Sequence, residues 1–221
     1  MTRSVPVGSV RRFGDRALLI GVEDPVAGRT LVASFERALL GFDVELVCGL
    51  ATVCVLARDP DAALAPLTAA VRAVLGAPPA LVRDDDGDGA AGGGRLVTIP
   101  CAFDGPDLDE VAGLAGLSRD EVVAQLTGGP LTVSVVGFSP GFAYLDGLPP
   151  ALADIPRRDR PRPTVPAGSV ALANGHAAVY PTASPGGWRL VGRTGLPLFS
   201  LDEPPYAVLA PGDRVQLRVA A

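Results

Sequence analysis

GFSPGFAYLDGLPP at residues 137–150, PRRDRPRPTVPAGSVALANGHAAVYP at 156–181 and SPGGWRLVGRT at 184–194 are the lines on which the fold turns. Residues 137–195 hold nine of the 22 prolines and nine of the 27 glycines, with the only histidine, His176, and the only tryptophan, Trp188. Proline fixes φ and glycine frees it, so this density specifies a series of set turns. Disordered tracts can match the density, but they lack hydrophobic strands. Here residues 165–173, 177–180 and 188–191 read as strands between the turns. Many short strands separated by Gly/Pro turns predict a closed barrel or a sandwich.

Charge marks the same region. Between residues 151 and 195, six arginines against two aspartates sum to +4, while the whole chain is −5, leaving −9 elsewhere. A basic island on an acidic chain suits a small anionic ligand or an acidic partner face. Solvated arginines in ordinary surface ion pairs give the same count.

Working outward, 221 residues suffice for one large or two small domains. At 48% hydrophobic and 19% charged the chain is globular, and no run approaches the ~18 apolar residues of a membrane span. The first twenty residues lack the apolar stretch of a signal peptide. Three cysteines, 48, 54 and 101, make no disulfide framework or metal-ligand set and point to a reducing cytoplasm. All 19 basic residues are arginine, which excludes a Schiff-base lysine and the P-loop lysine. The acidic balance argues against nucleic acid.

Residues 16–20 read as a strand and 25–40 as a helix with Leu31, Phe35 and Leu39 on one stripe. Strands follow at 43–48 and 51–57, then a helix at 61–75 with Leu64, Leu67, Val71 and Val74 inward. This β-α-β-β-α order predicts an α+β N-terminal domain, a ferredoxin-like sandwich over residues 1–83. DDDGDGAAGGG at 84–94 reads as a flexible linker, and its aspartates lack the spacing and terminal Glu of an EF-hand loop. The all-β domain occupies 95–221. It opens with a strand at 96–100 and two short helices with capping signatures, Asp107 with Glu110 and Ser118 with Glu121. It closes with an alternating strand at 213–219.

Gly137-Phe138-Ser139-Pro140-Gly141 matches the nucleophile-elbow pattern after a strand at 131–136. Pro140 has no N–H to serve as an oxyanion donor, and Gly147, Pro149 and Pro150 interrupt the helix that should follow, so Ser139 reads as a turn residue. The local basic excess, the sole tryptophan, the sole histidine and the set turns converge on one expected site. It is a cleft walled by Phe142, Tyr180 and Trp188, with Arg162, Arg193 and His176 as polar contacts. Each residue also has a plain reading: Trp188 as core, His176 as a turn residue after Asn174-Gly175, and the arginines as ion pairs to aspartates.

FDGPDLDEVAGLAGLSRDEV (103–122), GFSPGFAYLDGLPP, PRPTVPAGSVALA (161–173) and YPTASPGGWRLVGRT (180–194), in that order, resemble the B component of the bacterial three-component 5-oxoprolinase. The family is also called KipI-like, or allophanate hydrolase subunit 1. FGDRALLI at 13–20 is a weaker match. The resemblance implies a cyclophilin-like β-barrel for residues 95–221. It implies a subunit of an ATP-dependent enzyme that opens 5-oxo-L-proline to L-glutamate. ATP would act through the complex, since this chain has no nucleotide motif. The implied partners are the A and C components of the 5-oxoprolinase and a small anionic cyclic amide, whose carboxylate Arg162 or Arg193 would grip in a forked contact. No complete catalytic set is visible, so the chain alone is expected to be inactive. Two other readings stay open: a KipI-like inhibitor of a sensor histidine kinase, and an amidolysis subunit in urea metabolism. Two positions depart from the family pattern. The family has GxQTGIYP where this chain reads NGHAAVYP, which puts His176 at the usual glutamine. It often has a histidine near Leu126, in the run QLTGGPLTVSVVGF.

Overall fold

The computed structural model describes residues 8–76, 94–202 and 204–220, which divide after residue 93 into two compact units. The expected linker at 84–94 lies outside the described residues apart from Gly94.

The first unit runs β1 (Val10–Phe13), β2 (Ala17–Gly21), α1 (Pro25–Ala38), β3 (Val44–Cys48), β4 (Thr52–Ala57) and α2 (Leu64–Gly76). α1 begins where the Asp24 carboxylate accepts the Ala27 N–H at 2.8 Å, with Pro25 already in a helical φ. Phe35, Leu39, Leu64, Leu67 and Val71 are buried against Leu18, Ile20, Val53 and Val55. Burying Phe35 fully stabilises by about 2–3 kcal/mol. The sheet order is β1-β2-β4-β3, antiparallel throughout. The expected β-α-β-β-α order is present, but the layout departs from the ferredoxin-like sandwich at one edge. There the fourth strand should follow the second helix, whereas here β1, ahead of α1, flanks β2. β1 carries one half-buried residue and three exposed ones, so it lacks the alternation that marks a strand.

The second unit is mostly β. It comprises β5 (Leu96–Cys101), α3 (Leu108–Ala115), α4 (Arg119–Thr127), β6 (Leu131–Val136), β7 (Ala143–Asp146), α5 (Pro150–Ala153), β8 (Arg162–Val165), β9 (Ser169–Ala173), β10 (His176–Val179), β11 (Ser184–Gly186), β12 (Arg189–Arg193) and β13 (Arg214–Val219). Seven strands form one sheet, ordered β12-β9-β10-β7-β6-β13-β5, and β8 pairs with β11 separately. Only β13 and β5 pair in parallel in that sheet. Its two edges meet. Ala102 and Arg193 exchange backbone hydrogen bonds of 2.8 Å each way, and the seam continues with Gly105 N–H to Val191 O and Asp107 N–H to Leu190 O. A Cβ on Gly105 would lie 2.3 Å from the Val191 backbone, and one on Gly192 2.5 Å from the Ala102 carbonyl. Both positions demand glycine because two backbones touch there. The result is a nearly closed, barrel-like sheet.

One face of this sheet buries Ile99, Val133, Leu145, Leu172, Val191 and Leu217 with Leu108, Val122, Leu126 and Leu152 from the helices. The opposite face of β9 and β10 buries a second cluster that includes the aromatic residues of 142–188. Two local expectations change and a third is met. Residues 165–173 are two strands, because Gly168 turns at φ +79° where a Cβ would meet the Thr194 carbonyl at 2.2 Å. Ser118 and Glu121 form a full capping box, but Asp107 makes no capping bond to α3. As expected, Ser139 sits in a turn: residues 137–142 link β6 to β7, with Gly137 N–H on Phe142 O and Phe142 N–H on Ser139 O, and a strand instead of a helix comes next.

Candidate functional site

Alternation along β9 and β10 sends Ala171, Ala173, Ala178 and Tyr180 to the face opposite the one packed with the helices. These small residues make room for large ones. Phe142 stands at the centre of an edge-to-face cluster, 5.2 Å from Tyr144 and from Tyr180 and 5.8 Å from Trp188, ring centre to ring centre. Such pairs contribute about 0.5–1.5 kcal/mol each beyond burial. Phe142 and Tyr180 are each 2% exposed and Trp188 6%, so these three are packed on one another and do not line an open cleft. Gly186 keeps β11 close over Tyr180: a Cβ there would fall 2.3 Å from the Tyr180 hydroxyl. Burial pushes the Tyr180 hydroxyl pKa up, against the pull of Arg157 and Arg162.

The open edge of this cluster is Tyr144 and His176. Their rings meet edge to face at 5.7 Å, and Tyr144 meets Trp188 at the same distance. β7 and β10 pair antiparallel at Ala177↔Leu145, so the next facing positions are His176 and Asp146. Their side chains connect, with His176 Nδ1 2.5 Å from Asp146 Oδ1. The imidazole is 23% exposed and the carboxylate 37%. When the imidazole is neutral, the carboxylate can only accept, so Nδ1 carries the proton and Nε2 presents a lone pair. Asp146 gave no signal in the sequence, since it lies thirty residues from its partner.

The two expected arginines stand elsewhere. Arg162 Nη2 donates to Asp107 Oδ1 at 2.7 Å, and Arg158 Nη1 donates to the same oxygen at 2.8 Å. Asp107 Oδ2 accepts the Leu190 N–H at 2.7 Å. Arg158 and Arg189 also pair with Glu110. Burial pushes the Asp107 carboxyl up, but the Arg162 hydrogen bond, the Leu190 amide and the charges of Arg162 and Arg158 together outweigh it and hold it below the usual carboxylate range. Arg162 Nη1 and Arg158 Nε are buried without a partner among the described residues. Arg193, on β12, pairs with Ser169, four positions along β9 from His176's partner Ala173, and makes a forked surface contact with Asp104. The structure therefore brings Phe142, Tyr180, Trp188 and His176 into one cluster and ties Arg162 and Arg193 to intramolecular acids.

Burial pushes the Cys101 thiol up to about 12 and raises Cys48 and Cys54, so none is poised as a thiolate nucleophile. Among the described residues no three His, Cys, Asp or Glu side chains converge as a metal site, and no helix is long and apolar enough to cross a membrane.

The family model described as carboxyltransferase domain, subdomain C and D, matches residues 9–209. The chain is similar to the 5-oxoprolinase B component of Escherichia coli O157:H7, 35% identical over 214 residues covering 92% of each protein. It is 45% identical over 125 residues to the 5-oxoprolinase B component of Bacillus subtilis (strain 168), covering 55% of this chain and about half, 52%, of that relative. The crystal structure of TTHA0988 superimposes with a TM-score of 0.74 at 30% identity, covering 93% of this chain and 40% of the other. The Kluyveromyces lactis urea carboxylase shares the fold alone: TM-score 0.72, 18% identity, all of this chain and 23% of that one.

Proposed function

The chain belongs to the family of 5-oxoprolinase B components, and from that premise we propose that it works in a multi-component, ATP-dependent 5-oxoprolinase opening 5-oxo-L-proline to L-glutamate. The carrying observation is the 35% identity to a protein of that name over 92% of both chains. The A and C components complete the enzyme, and ATP is bound and spent through them, because this chain has no phosphate-cradling motif. The assembly works in the cytoplasm. The second unit is a cyclophilin-like barrel, and its aromatic face is the part that meets substrate.

Within that reading, Phe142, Tyr180 and Trp188 form the rigid floor, and His176 with Tyr144 forms the accessible rim. Arg162 keeps one buried donor, Nη1, unpartnered among the described residues, and that donor is the candidate for the substrate carboxylate. Arg193 offers a second guanidinium once Asp104 yields it.

The test is reconstitution. The purified chain is expected to hydrolyse neither ATP nor 5-oxoproline, and addition of the A and C components is expected to give glutamate release that requires ATP. Robust turnover by the single chain, or none by the assembled complex, would overturn the proposal.

A further inference from the structure

We propose that His176 and Asp146 form a lactam-reading pair, in which Asp146 holds the Nδ1 proton and the bare Nε2 accepts the ring N–H of a small cyclic amide at the Tyr144 rim. This rests on the 5-oxoprolinase reading and adds the atom that recognises the amide and the residue that orients it. Asp146 is a positioning residue: it acts through the imidazole.

Four observations carry it. The two side chains occupy facing positions on β7 and β10 and touch at 2.5 Å, which fixes the tautomer and the ring plane. Among the described residues no protein donor reaches Nε2, although the ring is only 23% exposed. Tyr144 lies edge to face with the imidazole and with Trp188, giving a flat small ring an apolar wall that is already ordered. Charge then selects the ligand end. A carboxylate beside Asp146 is repelled, and among the described residues no arginine is paired with the imidazole to offset it. The pair therefore suits a neutral N–H donor, which the amide end of 5-oxoproline supplies.

The chemistry makes recognition depend on protons. Protonation of the imidazole puts a hydrogen on Nε2 and removes the acceptor. The titratable groups in contact with the ring are Asp146 and Tyr144, both on β7. The facing strand β9 contributes Ala173, and α5, the helix nearest the Asn174-Gly175 turn, contains only Pro150, Ala151, Leu152 and Ala153. A protonated ring donates from both nitrogens, so acid weakens lactam binding. Glutamine at position 176 keeps an acceptor, the side-chain carbonyl, that does not titrate.

His176 is the only histidine, so its ring nitrogens can be followed by 15N NMR without assignment ambiguity. At alkaline pH the wild-type chain is expected to show the Nδ1–H tautomer, and Asp146→Asn, which can present an N–H to the ring, is expected to shift it toward Nε2–H. In the assembled complex the KM for 5-oxoproline is expected to rise roughly tenfold as pH falls from about 8 to 5, with kcat changing less, because one hydrogen bond is lost. His176→Gln is expected to flatten that KM profile, and His176→Ala to raise KM at every pH. An Nε2–H tautomer in the wild type, or an unchanged KM profile in His176→Gln, would overturn the pair. Failure of the broader reading looks different. With no 5-oxoproline turnover at all, 2-pyrrolidinone and succinate are titrated against the labelled complex. A shift of Nε2 by the lactam and not by the dicarboxylate keeps the pair and rejects only the reaction, whereas no lactam shift rejects the pair.

Discussion

Asp107 shows what a single side chain does here. The sequence context, Asp107 three residues before Glu110, reads as a helix cap, yet the carboxylate turns away from α3 and gathers Arg158, Arg162 and the Leu190 amide. It ties α3 to β12 and β8 at a point where it is only 3% exposed. Its carboxyl is held below the usual range, so its contribution is present above the unfolded value, about 3.9, and is lost as pH falls through the lower folded value. Wild type is therefore expected to lose stability more steeply below about pH 4 than Asp107→Asn in parallel thermal melts. Near neutral pH, Asp107→Ala strips the half-buried Arg162 of its carboxylate and leaves Arg158 only Glu110, and is expected to cost about 3 kcal/mol, a melting point lower by roughly 10 °C. Arg193 contrasts with it. Its contact with Asp104 is on the surface, so Arg193→Ala should leave the melting point unchanged. A fall in activity of the assembled enzyme would then report a ligand or partner contact. A large drop in melting point would instead make the residue structural.

Among the elements, the seam between the chain after β5 and β12 decides whether the sheet closes. Backbone meets backbone from Ala102 to Asp107, and Gly105 and Gly192 are the contact points. Gly105→Ala drives a methyl group into the Val191 carbonyl carbon. It is expected to destabilise by at least about 2 kcal/mol, against about 1 kcal/mol for removing the α4 cap with Ser118→Ala. Urea melts of the two variants check the ranking; equal midpoints would show that the seam yields. Most elements were legible because their signals are local: the stripe of Leu31, Phe35 and Leu39, the run at 131–136, the box at Ser118 and Glu121. β1 was not legible, because an edge strand with three exposed residues has no alternation to read. Pro166 to Gly168 looked continuous with its flanks because the partner that forces the turn, Thr194, is distant in sequence. The site divides the same way. Composition found the aromatic residues and His176, but not that three of the aromatics bury one another, that aspartates hold Arg162 and Arg193, or that Asp146 faces the imidazole. Those facts depend on strand register, which a sequence does not display residue by residue.

At the scale of the molecule, each unit owns its core. Leu18, Ile20, Phe35, Val53 and Val71 pack with residues of the first unit, and both clusters of the second are built from residues beyond 94. A unit with a complete core can fold alone. Residues 94–221, expressed separately, are therefore expected to melt cooperatively. The sole tryptophan makes this simple to follow, because Trp188 is 6% exposed within the second unit and its emission reports on that unit alone. In the intact chain, fluorescence should trace the second unit while far-ultraviolet circular dichroism sums both. The fragment's fluorescence midpoint should lie within roughly 4 °C of the intact chain's, the shift that about 1 kcal/mol produces at this size. A fragment with red-shifted emission and no cooperative transition would show that the aromatic face is ordered only by the rest of the chain, and its role as a preformed floor for substrate would fall with it.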